Sequence, residues 1–211
     1  QKMKIYFVRH GETDWNKDRK IQGQVNISLN EFGRHLARET AKGLKEIPFD
    51  VCFTSPLDRA RETAEIILEG REVPVIEDER IIEMGFGSYE GGCCSGEGWN
   101  VPDSFQKFFD DPEHFVPGEG GETFLQVKER TGDFLNWLYD QDAYKDSNIL
   151  ITTHGAALAG LLNNIRRQPL EQYWGIGVHK NCAVTKVDVT DKEAVIEFEN
   201  EVYYKDEVKP W

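Results

Sequence analysis

The sequence predicts an α/β fold: a three-layer α/β/α sandwich with a mostly parallel central sheet and an inserted cap region. Three observations predict it. Short β-branched runs alternate with stretches of helical period, the pattern of parallel strands joined by crossover helices. The runs at 4–8 and 148–153 are nearly continuous in apolar residues rather than alternating, as strands buried on both faces require. A third stretch, 87–121, is rich in glycine and aromatic residues and carries no strand pattern.

Taken in order, strands are expected at 4–8, 50–54, 73–77, 148–153 and 182–189, with 194–202 as a final edge strand. Helices fill the intervals at 31–46, 56–68, 123–139 and 156–165. Asn30 opens the first of these, and Ser55 followed by Pro56 opens the second, a capping hydroxyl before a proline whose φ is already helical. In the third, Phe124, Val127, Phe134 and Leu138 fall close to one face. No repeat or linker divides the chain, so one domain over 1–211 is expected, with the insertion at about 88–121. The segment reads either as a cap over the site or as a long surface excursion; an ordered stretch of that length is more often functional, which favours the cap.

Composition narrows the function classes. The chain has 211 residues, 39% hydrophobic and 30% charged, with a formal charge of −13. That charge argues against nucleic acid and anionic membrane surfaces, though a few convergent arginines can still hold a small anion. No stretch approaches the ~20 apolar residues that cross a bilayer. The run at 5–8 before Arg9 is too short for the apolar region of a signal peptide. Cys52, Cys93, Cys94 and Cys182 show no zinc or CxxC spacing, which fits reduced thiols and a cytoplasmic location. Oligomeric state leaves no mark in the sequence.

Ligands of open parallel sheets bind beyond the carboxyl ends of the strands. Just past the first strand lies Arg9-His10-Gly11-Glu12-Thr13, and past the second Ser55-Pro56-Leu57-Asp58-Arg59. The loop after the third leads to Glu83, and Thr153-His154-Gly155 follows the fourth. A lone histidine at a strand end is usually structural, and a lone arginine in a first helical turn is usually solvated. Two of each with a carboxylate, at successive strand ends, are hard to explain by packing.

These blocks resemble the motifs of the histidine phosphatase superfamily, in its phosphoglycerate-mutase-like branch. Residues 7–13, ending Arg9-His10-Gly11-Glu12-Thr13, look like RHGE[TS]; residues 54–64 resemble SPLxRAxxTA; residues 82–91, with Glu83, Phe86, Gly87, Glu90 and Gly91, resemble xExxFGxxEG. Thr153-His154-Gly155 is similar to the late histidine block, and Asn181-Cys182-Ala183 to a weaker late element. The resemblance implies a phosphomonoester hydrolase of histidine-acid-phosphatase type, acting on a small phosphorylated metabolite without cofactor or metal. His10 would be the nucleophile and form a phosphohistidine. Arg9, Arg59, Asn16 and His154 would bind the phosphoryl oxygens, Gln22 and Gly23 the substrate, and Glu83 would be the general acid. Those types suit the chemistry, which needs an in-line nucleophile, charge on the equatorial oxygens and a proton for the leaving oxygen. Outside that motif Glu83 reads as a surface residue of an acidic stretch. No metal-ligand pattern is present, and guanidiniums beside His10 and His154 disfavour a cation.

The sequence departs from the family at 21–37, which retains Gln22, Gly23, Leu29, Gly33 and Ala37 but carries Asn26, Ser28, Asn30 and His35 where other residues are usual. These changes are expected to alter loop rigidity. His35, His114 and His179 match no motif. The rival reading is a cofactor-dependent phosphoglycerate mutase, which uses the same histidine and arginines. An inactive phospho-ligand-binding module would usually lack one of them. The branch of phytases and acid phosphatases, with RHGxRxP and a late His-Asp pair, fits less well.

Overall fold

At the centre of a six-stranded sheet runs β1 (Met3–Arg9), whose side chains alternate between two buried faces. The structure is a computed structural model that describes residues 2–209; the remaining ends of the expected 1–211 domain lie outside the described residues. Met3, Ile5 and Phe7 point into one core and Tyr6 and Val8 into the other, which explains the unbroken apolar run. The other strands are β2 (Val51–Thr54), β3 (Val75–Glu77), β4 (Asn148–Thr153), β5 (Val184–Thr190) and β6 (Glu193–Glu201). Their order is β3-β2-β4-β1-β5-β6. The first four in that order are parallel, whereas β5 and β6 form an antiparallel hairpin at one edge.

Helices cover both faces. Besides the short α1 (Asp14–Lys17), these are α2 (Glu31–Gly43), α3 (Asp58–Ile67), α4 (Lys107–Asp110), α5 (Phe124–Tyr139) and α6 (Gly155–Arg166). Phe134, Leu135 and Leu138 of α5 and Leu158, Leu161 and Leu162 of α6 fill one core. Ala64 and Ile67 of α3 join the other, with Leu44 just past the end of α2. The arrangement is the expected α/β/α sandwich.

Local chemistry moves several boundaries. Asn30 caps α2 as expected, its Oδ1 accepting from Gly33 N at 2.8 Å. By contrast, α3 starts at Asp58 rather than Pro56, and its N-cap residue Leu57 makes no capping bond. Asn26 does that work from the preceding loop, its Oδ1 accepting from Asp58 N at 2.9 Å. The substitution at 26 thus anchors a helix as well as a loop. β5 begins only after Cys182, whose φ of 57° breaks the extended run. α1 was not expected; a capping box between Thr13 and Asn16 closes its single turn.

Between β3 and α5 the chain forms one-turn helices at Gly87–Tyr89, Gly96–Gly98, Asp103–Gln106 and Pro112–His114, with α4 among them. Phe105, Phe108 and Phe115 of this segment pack with Phe86, Phe124 and Tyr173 in a separate aromatic core. Phe105 and Phe108 stack with centroids 5.1 Å apart. Aromatic burial thus orders a segment with almost no regular structure.

Candidate active site

The register of the sheet assembles the site. Arg9 of β1 lies opposite Thr153 of β4, so the next residues on the two parallel strands, His10 and His154, are neighbours. Their ring centroids are 5.1 Å apart. The turn after β1 can be this tight because Gly11 and Gly33 meet without side chains. A Cβ at Gly11 would lie 2.6 Å from the Gly33 carbonyl oxygen, and one at Gly33 would lie 2.1 Å from the Glu12 oxygen. Thr63 of α3 ties the same turn down, its Oγ1 accepting from Gly11 N at 3.0 Å and donating to the Arg59 carbonyl at 2.7 Å.

His10 is buried, and its Nδ1 lies 2.6 Å from the Gly11 carbonyl oxygen. A carbonyl can only accept, so Nδ1 carries the hydrogen and Nε2 keeps its lone pair. Burial, then Arg59 and Arg9, push this imidazole well below its ordinary 6.5. The ring is therefore neutral near pH 7, with a free nucleophilic nitrogen. His154 is pushed down in the same direction by burial, Arg59, His10 and Arg9. Its Nε2 lies 2.7 Å from Ser55 Oγ, a hydroxyl that also accepts from Leu57 N at 3.3 Å and so serves both the site and the turn into α3.

Both arginines are buried and held by backbone carbonyls. Arg9 Nη1 donates to the His179 oxygen at 2.6 Å, and Arg59 donates to the Val25 and Gly23 oxygens, each at 2.6 Å. Burial lowers both to about 10, partly offset by Glu83, so both stay cationic at neutral pH. Arg9 Nε, Arg59 Nε and His154 Nδ1 are buried polar atoms with no hydrogen-bond partner. Unpaired buried polar atoms are rare, and these three belong to one site. The arrangement offers donors to an anion.

Arg9, His10, Asn16, Gln22, Gly23, Arg59 and Glu83 all line one pocket. His154 does not reach the lining and stands beside His10 instead. The Asn16 oxygen accepts from Thr13 N at 3.1 Å and Asn181 Nδ2 at 3.4 Å, leaving its amide NH2 as the available donor. Gln22 Oε1 accepts from Thr13 Oγ1 at 2.6 Å. Gly23 has φ 52°, and a Cβ there would lie 2.4 Å from Glu90 Oε1. Glu83 is the one carboxylate on the lining among the described residues. Its Oε1 accepts from Met84 N and Ala157 N at 2.8 and 2.9 Å, and its Oε2 from Ala156 N at 3.2 Å. It therefore docks on the amino end of α6.

Sequence reasoning missed the residues that set these groups in place. Arg130 of α5 donates to the Arg80, Ile82 and Glu83 carbonyls at 2.8 to 3.1 Å while pairing with Glu122. In sequence it is an ordinary charged helix residue, and no local signal distinguishes it. Asn181 Nδ2 donates to the His10 carbonyl at 3.0 Å, giving a physical task to the weak late element. His179 is buried between Glu199 and Thr185, while His35 and His114 pair with Asp206 and Asp111 at the surface. Phe86, Phe105, Phe108 and Trp174 form an aromatic wall of the pocket, two of them from the inserted segment. No helix among the described residues is long and apolar enough to cross a membrane.

Known proteins share this architecture. The sequence profile described as the histidine phosphatase superfamily (branch 1) matches residues 5–202. The adenosylcobalamin/alpha-ribazole phosphatase of Salmonella typhimurium is 33% identical over 85% of this chain and 88% of its own. The probable phosphoglycerate mutase GpmB of Cronobacter sakazakii is 34% identical over 88% of this chain and 85% of its own. Among solved structures, Bacillus stearothermophilus YhfR superposes with a TM-score of 0.87 at 32% identity, covering 94% of this chain and 97% of that one.

Proposed function

The chain belongs to the histidine phosphatase superfamily, branch 1, and from that premise we propose that it hydrolyses small phosphomonoesters through a phosphohistidine on His10. The observation that carries this is the pairing of a neutral imidazole, its Nε2 free, with two buried guanidiniums in one pocket. Nε2 attacks phosphorus in line and the ester P–O bond breaks. Arg9, Arg59 and Asn16 on the lining donate to the oxygens on which charge is spread, and His154, beside His10 and with its Nδ1 unpaired, joins them from behind the nucleophile's ring. Guanidinium forks match those oxygens in a way a point charge does not. Glu83, the one carboxyl group on the lining, delivers the proton to the leaving oxygen. Water then attacks the phosphohistidine, Glu83 takes its proton, and inorganic phosphate leaves. Gln22 and Gly23 bound the pocket on the substrate side, and residues 88–121 act as a cap whose aromatic rings receive the leaving group. The histidine-acid-phosphatase type extends here only to this two-step chemistry, since the chain belongs to branch 1 of the superfamily.

Similarity to a probable phosphoglycerate mutase keeps isomerisation as the rival reading. A mutase must grip a second phosphate and shield its phosphohistidine from water. The inserted segment has Lys107 as its one lysine or arginine, and Lys107 does not line the pocket. An aromatic wall suits a less charged monoester, leaving water as the acceptor. The deciding assay supplies 3-phosphoglycerate with 2,3-bisphosphoglycerate and follows both 2-phosphoglycerate and free phosphate. Phosphate release without isomerisation is expected; rapid isomerisation with negligible phosphate release would replace hydrolase by mutase.

A further inference from the structure

We propose that Glu199 and Asn200 of the edge strand β6 are positioning residues for Arg9, acting through the peptide group that joins His179 to Lys180. The inference rests on the phosphomonoesterase reading and extends its machinery to residues that do not line the pocket.

That peptide group is held at both ends. Its carbonyl oxygen accepts from Arg9 Nη1 at 2.6 Å, and its N–H, on Lys180, donates to Asn200 Oδ1 at 2.9 Å. Asn200 therefore fixes the direction in which the carbonyl points, and with it the guanidinium that the carbonyl anchors. Arg9 Nε has no partner, so the grip on Nη1 aims the rest of the fork. The His179 side chain secures the same residue independently. It is buried, with Nε2 2.9 Å from Glu199 Oε2 and Nδ1 3.4 Å from Thr185 Oγ1. A carboxylate only accepts, so Nε2 carries the hydrogen. The other Glu199 oxygen pairs with Arg166 of α6. Burial works against the charge on Glu199, but His179 and Arg166 hold its carboxyl below the ordinary value.

The strand is built to allow this. In a regular strand Glu199 and Asn200 would point to opposite faces of the sheet. Here Val184 pairs with Glu201 and Lys186 with Phe198, so the two residues together oppose Thr185 in a bulge. Asn200 takes φ 59°, a left-handed conformation that asparagine adopts more readily than most residues, and its N–H donates to Thr185 Oγ1 at 3.0 Å. The bulge brings both side chains onto one loop, Glu199 to the His179 ring and Asn200 to the next amide.

The test is a double-mutant cycle with p-nitrophenyl phosphate, reading kcat/KM, with enzyme in excess where turnover is slow. Asn200→Gly removes the acceptor and suits the left-handed backbone, whereas Asn200→Asp keeps an acceptor. Asn200→Gly should lower kcat/KM about tenfold, because a small misplacement of a positioned group is felt on that order, and Asn200→Asp should restore most of it. Glu199→Ala should lower it by a similar factor. In an Arg9→Ala background both losses should shrink below about twofold, since the group they act through is gone. Partial unfolding would lower both backgrounds by the same factor, so the cycle separates positioning from stability. No loss in either single variant, or the same loss with and without Arg9, would overturn the assignment and leave the phosphatase reading intact. A parent protein that releases no phosphate from this or any other monoester would overturn the reading beneath it.

Discussion

Protonating His10 or His154 inside the fold would strip a new charge of water and set it beside Arg9 and Arg59. Both rings are accordingly held well below 6.5, by burial first and the guanidiniums second. In the unfolded chain the same rings take up a proton near pH ~6.5. Below that pH the unfolded state binds more protons than the folded state, so stability falls as the solution is acidified. The loss reaches up to about 1.4 kcal/mol per pH unit for each ring, until the folded-state pKa is met. Urea midpoints should therefore drop between about pH 7 and pH 5.5, and drop less in His10→Ala, which has one such ring fewer. An equal drop in the variant would mean that His10 is not a buried neutral group. Activity follows the same sign: the acid limb of kcat/KM should lie below pH ~6.5, because the free nucleophile stays unprotonated through that range.

The elements differ in how far their sequences disclose them. β1 and β4 were legible because burial on both faces demands unbroken apolar runs, and their shared register is what brings His10 and His154 together. The start of α3 was not, because Ser55 Oγ, while accepting from Leu57 N, also serves His154, and Asn26 satisfies Asp58 N from another loop. Motif residues Arg9, His10, Asn16, Arg59 and Glu83 were readable by resemblance and do share a pocket. Arg130 was not readable, since its partners are carbonyls 47 to 50 residues away in sequence. That clamp carries a prediction for α5. If Arg130 holds the loop that presents Glu83, Arg130→Ala should mimic Glu83→Gln, slowing alkyl phosphates about tenfold or more while sparing aryl phosphates, whose leaving oxygens need little help. Arg130→Lys should restore little, because a point charge cannot span those carbonyls and Glu122 together. Equal slowing of both ester classes in Glu83→Gln would assign Glu83 to binding rather than proton transfer.

Across the whole molecule, a strongly acidic surface surrounds a cationic pocket floor. Arg9 at the end of β1 and Arg59 in the first turn of α3, both buried among carbonyls, make the local field oppose the net charge. In the proposed mechanism those guanidiniums supply the charge that a divalent ion gives other phosphatases, so activity should survive EDTA. Loss on chelation, restored by one divalent ion, would contradict that assignment. The central claim is that the phosphoryl group passes through His10. Incubating the protein with a phosphorus-labelled monoester and quenching rapidly in alkali tests it most directly, since phosphohistidine survives base and is lost in acid. The account predicts a base-stable, acid-labile label on the parent protein, at a peptide containing His10, and none on folded His10→Ala. A labelled and active His10→Ala protein would contradict it.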